Sequence, residues 1–166
     1  DIIIMQAEIP YETNKKIALL AKQKGKKVLF NPAPACLLDE ELMKAIDILV
    51  VNEVEAAFIS GIDYTGNNHE KIAQALIEAG AQNVVITLGS QGVYMKNNQK
   101  TVYLPGYKVN AIDTIAAGDT FCGALGFANA AAAIAVTRSG AQPSIPTLDE
   151  VKCFILEKES VLSFNS

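Results

Sequence analysis

Residues 27–60 read KVLFNPAPACLLDEELMKAIDILVVNEVEAAFIS. Lys27 to Phe30 is an apolar run of strand length, and it ends in the loop Asn31-Pro32-Ala33-Pro34-Ala35. A short helix, Asp39 to Ala45, leads into a second apolar run, Ile48 to Val51. That run stops at Asn52-Glu53-Val54-Glu55, which opens a helix reaching about Ser60. Strand, helix, strand and helix with short connections predict parallel strands joined by right-handed crossovers.

The same rhythm extends in both directions. Upstream, Ile2 to Gln6 is a β-branched apolar run, the pattern of a strand buried on both faces. Glu12 to Lys24 follows as a helix with Ile17, Leu20 and Ala21 on its apolar face and Gly25 just past its end. Downstream, a polar loop (Asp63 to Asn68) precedes a helix to Ala79, with Gly80 after it. Asn83 to Thr87 is the next strand, ending in Leu88-Gly89-Ser90-Gln91-Gly92. Val93 to Met95 and Thr101 to Leu104 predict an antiparallel hairpin added to the sheet. Val109 to Ile112 reads as a further strand, and the chain beyond is helical and rich in small residues. The last helix, from Leu148, has Thr147 as N-cap and Glu150 three residues on, a capping box.

Composition bounds the function. The 166 residues are 50% hydrophobic and 19% charged, with a net charge of −4, so the chain reads as globular and offers no basic surface for nucleic acid. No apolar run approaches the ~18 residues of a membrane span. Cys36, Cys122 and Cys153 have neither disulfide-framework nor zinc spacing and suit a reducing cytoplasm. The one histidine, His69, lies in a polar run and reads as part of a solvated helix start.

Asn31-Pro32, Asn52 to Glu55 and Thr87 to Gly92 share one address, the carboxyl end of a predicted strand, where open α/β sheets bind ligands. Any α/β protein has polar turns there, so a single loop says little. Ala116-Ala117-Gly118-Asp119 adds small residues at a helix start, whose unpaired N–H groups and dipole favour phosphate oxygens. Asp119 in that first turn is either an ordinary helix-start carboxylate or a general base that takes a proton from an attacking hydroxyl. Neither a P-loop nor a dinucleotide fingerprint occurs.

Asp113-Thr114-Ile115-Ala116-Ala117-Gly118-Asp119-Thr120-Phe121 resembles the carboxy-terminal signature of the ribokinase (carbohydrate kinase) superfamily. Met5 to Pro10, Asn31 to Ala35, Asn52 to Ala56, Thr87 to Gly92 and Val136 to Pro146 match the same family in order and nearly in spacing. The resemblance implies a Rossmann-like, ribokinase-like three-layer α/β/α fold with a mainly parallel sheet. It implies ATP-dependent phosphorylation of D-ribose at the 5-hydroxyl, with Asp119 as base and the backbone of Ala116, Ala117 and Gly118 as anion hole. Asn52 would contact ATP phosphates, and Glu55 would organise Mg²⁺ through water. Thr87, Leu88, Gly89, Ser90, Gln91 and Gly92 would contact the nucleotide, with Gly118 at its phosphates and Asn129 near its base or ribose. Glu8 would touch the sugar. A K⁺ site would use Asp113, Ile115, Ala135, Arg138, Gly140 and Ser144, several through backbone carbonyls, since oxygen-only ligation suits a hard cation.

Two departures from the family pattern stand out. The resemblance implies that the family's amino-terminal sugar-binding part and its lid, the usual homodimer contact, are missing here. Between Leu125 and Asn129 the sequence is also too short to finish one helix, turn and begin the next, which predicts a gap. Within the superfamily a fructokinase or a 2-keto-3-deoxygluconate kinase remains an alternative. A non-catalytic nucleotide-binding fragment is the alternative from another class.

Overall fold

The computed structural model describes residues 1–110, 121, 128–135, 137–139 and 144–163. They fall into two compact units, Asp1–Pro105 and Gly106–Ser166. The first contains β1 (Ile2–Gln6), α1 (Tyr11–Gln23), β2 (Lys27–Asn31), α2 (Glu40–Ala45), β3 (Ile48–Asn52), α3 (Glu53–Ser60), α4 (His69–Glu78) and β4 (Asn83–Thr87). A 3₁₀ turn (Gly89–Gln91), β5 (Gly92–Asn97) and β6 (Thr101–Pro105) complete it. The six strands form one sheet in chain order. β1 to β4 pair in parallel, and β5 and β6 add the antiparallel hairpin that the sequence predicts.

Strand order and handedness decide where the helices lie. Three right-handed crossovers stepping in one direction leave their helices on the same face of the sheet. A single core cluster accordingly joins Ala18 and Ala21 of α1, Leu42 of α2, Ala56 of α3 and Ile72 and Leu76 of α4 to alternate strand residues such as Phe30, Leu49, Val51 and Ile86. Full burial of such a Leu, Ile or Phe contributes roughly 1.5–3 kcal/mol. The intervening residues Leu29, Val50 and Val85 are buried as well, which is why β2 to β4 read as continuous apolar runs.

β1 departs from its reading as a strand buried on both faces. Met5 is buried among the core residues, but Ile2 and Ile4 are 46% and 50% exposed. Among the described residues β1 pairs with β2 alone. Of the face expected for α1, Ala21 is buried and Ile17 packs against the core, and Leu20 departs from it. Asn14 and Ala18 complete the buried face, whereas Leu20 is half exposed. Small residues let α1 lie close to the sheet, and Asn14 ties the helix to β1 by donating from Nδ2 to the Gln6 carbonyl at 2.8 Å.

His69 is not the solvated helix-start residue that its polar neighbours suggest. Its ring packs 4.6 Å from that of Tyr94 on β5 and lies near-parallel to that of Tyr103 on β6, 6.4 Å away at 21°. Tyr94 and Tyr103 are direct cross-strand partners, so both rings stand on the face that α4 covers. At the other end of α4, Gly80 has φ +121°, and a Cβ there would come within 3.0 Å of the Lys44 side chain.

In the second unit, α5 (Ala128–Ala135) and α6 (Leu148–Ser163) pack through Ala131, Ile134 and Val151. Tyr107 meets Phe154 edge-on at 5.2 Å. The predicted capping box is present: Thr147 N donates to Glu150 Oε2 at 2.7 Å, and Glu150 N donates to Thr147 Oγ1 at 3.3 Å. Val109 and Asn110 form no strand, and the remainder of that expected strand lies outside the described residues. So does most of the segment from Thr120 to Ala128, including the predicted gap after Leu125. No helix among the described residues is long and apolar enough to cross a membrane.

The amino-terminal edge of the sheet is held by Asp47, which is 2% exposed. Its carboxylate accepts from Val28 N at 2.8 Å and from Lys22 Nζ and Lys27 Nζ at 3.0 Å each. Its carbonyl accepts from Asn83 Nδ2 at 2.8 Å, so one residue links α1, β2, β3 and β4. Burial alone would push this carboxyl up, but the Val28 N–H and the two ammonium groups together hold it below its ordinary range. A depressed carboxyl stabilises the fold above its unfolded value and loses that contribution as pH falls through the folded one. Asp47→Ala, which leaves the Val28 N–H without its partner, is expected to cost roughly 2–4 kcal/mol at pH 7. Urea unfolding at pH 7 and at successively lower pH checks this, with the gap to wild type narrowing as Asp47 protonates.

Candidate active site

Each parallel strand ends in a polar residue at its carboxyl end: Gln6, Asn31, Asn52 and Thr87. Register places Gln6 beside Asn31 and Asn52 beside Thr87. Two sequence-predicted site segments, separated along the chain by α3 and α4, therefore meet on adjacent strands.

Asn52 is the N-cap of α3. Its Oδ1 accepts from Glu55 N at 2.8 Å, while Glu55 Oε2 accepts from Asn52 N at 2.9 Å. This reciprocal box satisfies two helix-start donors and sets the direction in which the chain leaves β3. Glu55 is only 9% exposed. Burial pushes its carboxyl above the ordinary range, against the opposing pull of the Asn52 N–H and the Asn31 side chain. Asn31, itself buried, also donates from Nδ2 to the Val50 carbonyl at 2.8 Å. Asn31 thus connects β3 to Glu55. Sequence reading noted its place at a strand end but not this link, which only the three-dimensional register reveals.

The turn after β4 closes on itself. Leu88 N donates to the Gly92 carbonyl at 2.8 Å, and Gln91 N donates to the Leu88 carbonyl at 2.9 Å. Gly89 at φ +52° and Gly92 at φ +109° occupy the region that favours glycine. Gly89, Ser90 and Gln91 are exposed, whereas the Leu88 side chain is 2% exposed and belongs to the core, so only its backbone is available to a ligand. The Tyr103 hydroxyl donates to the Gln91 carbonyl at 2.7 Å, a contact with no signal in the local sequence.

Glu8 is exposed in the turn after β1, beside a backbone bond from Ala7 N to the Ala33 carbonyl of 3.1 Å. Asn129 lies on α5. Arg138 N donates to the Ala135 carbonyl at 3.1 Å, while its guanidinium bonds Glu150 at 2.6 Å. Arg138 can therefore offer a cation only its own backbone carbonyl. The Ser144 side chain is fully buried. Asp113, Ile115, Ala116, Ala117, Gly118, Asp119 and Gly140 lie outside the described residues.

Metal chemistry at Glu55 is constrained by its surroundings. No group of three or more His, Cys, Asp or Glu side chains able to hold a metal occurs among the described residues. A single buried carboxylate with amide neighbours fits Mg²⁺ that keeps its waters and is held through them, rather than a direct protein cage.

Comparison with known proteins places this arrangement in context. The chain is 41% identical to the ribokinase of Haemophilus influenzae, an alignment covering 93% of this chain and 56% of that protein. It therefore spans little more than half the length of that relative. The crystal structure of ribokinase from Thermotoga maritima superposes with a TM-score of 0.84 at 40% identity, covering 93% of this chain and 56% of that one. The structure of Arabidopsis thaliana ribokinase complexed with ribose and ATP superposes with a TM-score of 0.85 at 29% identity, covering 92% of this chain and 55% of that one. These likenesses bear out the ribokinase-like α/β fold expected from the sequence. Residues 2–148 match the pfkB family carbohydrate kinase, and the chain belongs to that family.

Proposed function

We propose that the complete protein is a cytoplasmic, homodimeric kinase that transfers the γ-phosphoryl group of ATP to the 5-hydroxyl of D-ribose. The observation that carries this reading is the meeting of Asn52 and Thr87 on adjacent parallel strands, with a glycine turn beyond one and a capped helix beyond the other. That is the sheet edge where α/β folds bind ligands. Similarity to ribokinases, one of them seen with ribose and ATP, supplies the substrate class.

In this reading the Thr87–Gly92 turn holds the nucleotide and Asn52 faces its phosphates. Glu8 contacts the sugar. Asp119 takes the proton of the 5-hydroxyl as that oxygen bonds to the γ-phosphorus and the bond to the β-phosphate oxygen breaks, releasing ADP. Backbone N–H groups of Ala116, Ala117 and Gly118 stabilise charge on the transferred group, and Asn129 lies near the nucleotide base or ribose. When bound through water at Glu55, Mg²⁺ neutralises phosphate charge. A K⁺ ion would rest on Asp113, Ile115, Ala135, Arg138, Gly140 and Ser144, largely through backbone carbonyls. Cys36 and Cys153 are free thiols, compatible with a reducing cytoplasm.

The direct test is ATP-dependent phosphorylation by the complete protein across a panel of sugars, with ribose 5-phosphate the expected product. Absence of activity on ribose would sink the assignment. In the same assay Asp119→Asn should lower kcat by about 10²-fold or more with ATP affinity little changed. Replacing K⁺ by Na⁺ should lower the rate, and equal rates in the two salts would remove the monovalent-cation site.

Glu55→Gln separates structure from chemistry. Glutamine keeps an acceptor for the Asn52 N–H, and because burial disfavours the charged carboxylate, stability should hold or rise by up to about 1 kcal/mol at pH 7. Wild type should lose stability as pH rises from the ordinary carboxylate range through the raised folded value of Glu55, a slope the glutamine variant lacks. Activity of the variant should fall and demand more Mg²⁺. Thermal melts across pH and a Mg²⁺ titration of the rate measure both.

A further inference from the structure

The turn proposed to hold the nucleotide is anchored to the sheet at its two ends, where Thr87 pairs with Asn52 and Val93 and Gly92 pairs with Pro105, while its exposed middle, Gly89 to Gln91, lies between them. Among the described residues, one side chain outside the turn makes a hydrogen bond to it: Tyr103, through the 2.7 Å contact with the Gln91 carbonyl. That bond holds the carbonyl side of the Gln91–Gly92 peptide, whose N–H side bonds the Gly89 carbonyl, so the peptide that closes the exposed middle of the turn is held at both of its polar groups. Tyr103 is itself well placed to do so. It stands on β6 directly opposite Tyr94, and the His69 ring lies across both. The Tyr103 ring thereby has the His69 ring stacked near-parallel to it, although the residue is 49% exposed and adds little to the core. An ordered ring with two side-chain torsions spends little entropy in presenting its hydroxyl.

From this geometry we infer that Tyr103 is a positioning residue for ATP, with the His69–Tyr94–Tyr103 cluster holding the Gln91 peptide in the exposed middle of the Thr87–Gly92 turn. The inference rests on the proposed nucleotide role of that turn. It gives the lone histidine a function distant from acid–base chemistry: His69 braces the ring that braces the turn. The effect is confined to the nucleotide side, because Tyr103 on β6 and Glu8 after β1 lie at opposite ends of the strand order.

The test compares wild type with Tyr103→Phe in the complete protein. Phenylalanine keeps the stacked ring and removes only the hydroxyl. A net hydrogen bond of this kind corresponds to roughly a two- to tenfold change, so the KM for ATP should rise by that factor. The KM for the sugar and the melting temperature should stay at wild-type values, which distinguishes positioning from a general loss of structure. His69→Ala, which loosens the ring, should raise the ATP KM in the same direction. An unchanged ATP KM in Tyr103→Phe, or an equal rise in both KM values, overturns the inference. Calorimetry of a non-hydrolysable ATP analogue reads the same difference without turnover. If the analogue binds wild type and no sugar is phosphorylated, the kinase reading falls while the Tyr103 comparison still decides. If the analogue does not bind wild type, both fall.

Discussion

Parallel pairing of β1 to β4 in chain order constrains the rest of the first unit. Successive crossovers of one hand must place α1 to α4 on one face, and the chain must then leave every strand at the same edge. Backbone groups at that edge lose their ladder partners and have to be satisfied by side chains, turns or ligands. Asn31, Asn52 and Thr87 therefore sit where the fold needs polar atoms before any chemistry is considered. The site is a consequence of the sheet's termination.

That coincidence explains how much could be read in advance. Strands β2 to β4, the hairpin and the Thr147–Glu150 box were legible because each is encoded locally, in apolar runs and in a cap whose two members are three residues apart. What failed was information held by distant neighbours. In the run Ile2 to Gln6, nothing local reports that Met5 is buried while Ile2 and Ile4 are about half exposed in this structure. Leu20 looks like a core residue, yet Asn14, Ala18 and Ala21 are the residues that permit close approach of α1. His69 looks solvated until Tyr94 and Tyr103 arrive from a hairpin that lies beyond α4 and β4 in the chain.

The two edges of the sheet divide the labour. At the amino-terminal edge, Asp47 is buried as a charge whose bonds to Val28 N, Lys22 and Lys27 outweigh its desolvation, so its carboxyl stays low. At the carboxyl edge, Glu55 is buried with the Asn52 N–H and the Asn31 side chain as its partners among the described residues, and burial pushes its carboxyl up. The first arrangement returns the cost of burial as stability. The second does not.

That contrast bears on why position 55 carries a carboxylate at all. A capping box needs an acceptor at its third helical residue, and glutamine serves as well as glutamate. An acidic side chain gains a few tenths of a kcal/mol to about 1 kcal/mol from the helix dipole at an exposed site, but here desolvation is the larger effect. The structural duty of Glu55 would be met at lower cost by a neutral residue. What the carboxylate adds is negative charge at the edge where Asn52 and the Thr87 turn meet. A hydrated divalent cation is the partner that would turn this charge from a liability into a binding term, because a positive ion beside a buried carboxylate favours its ionised form.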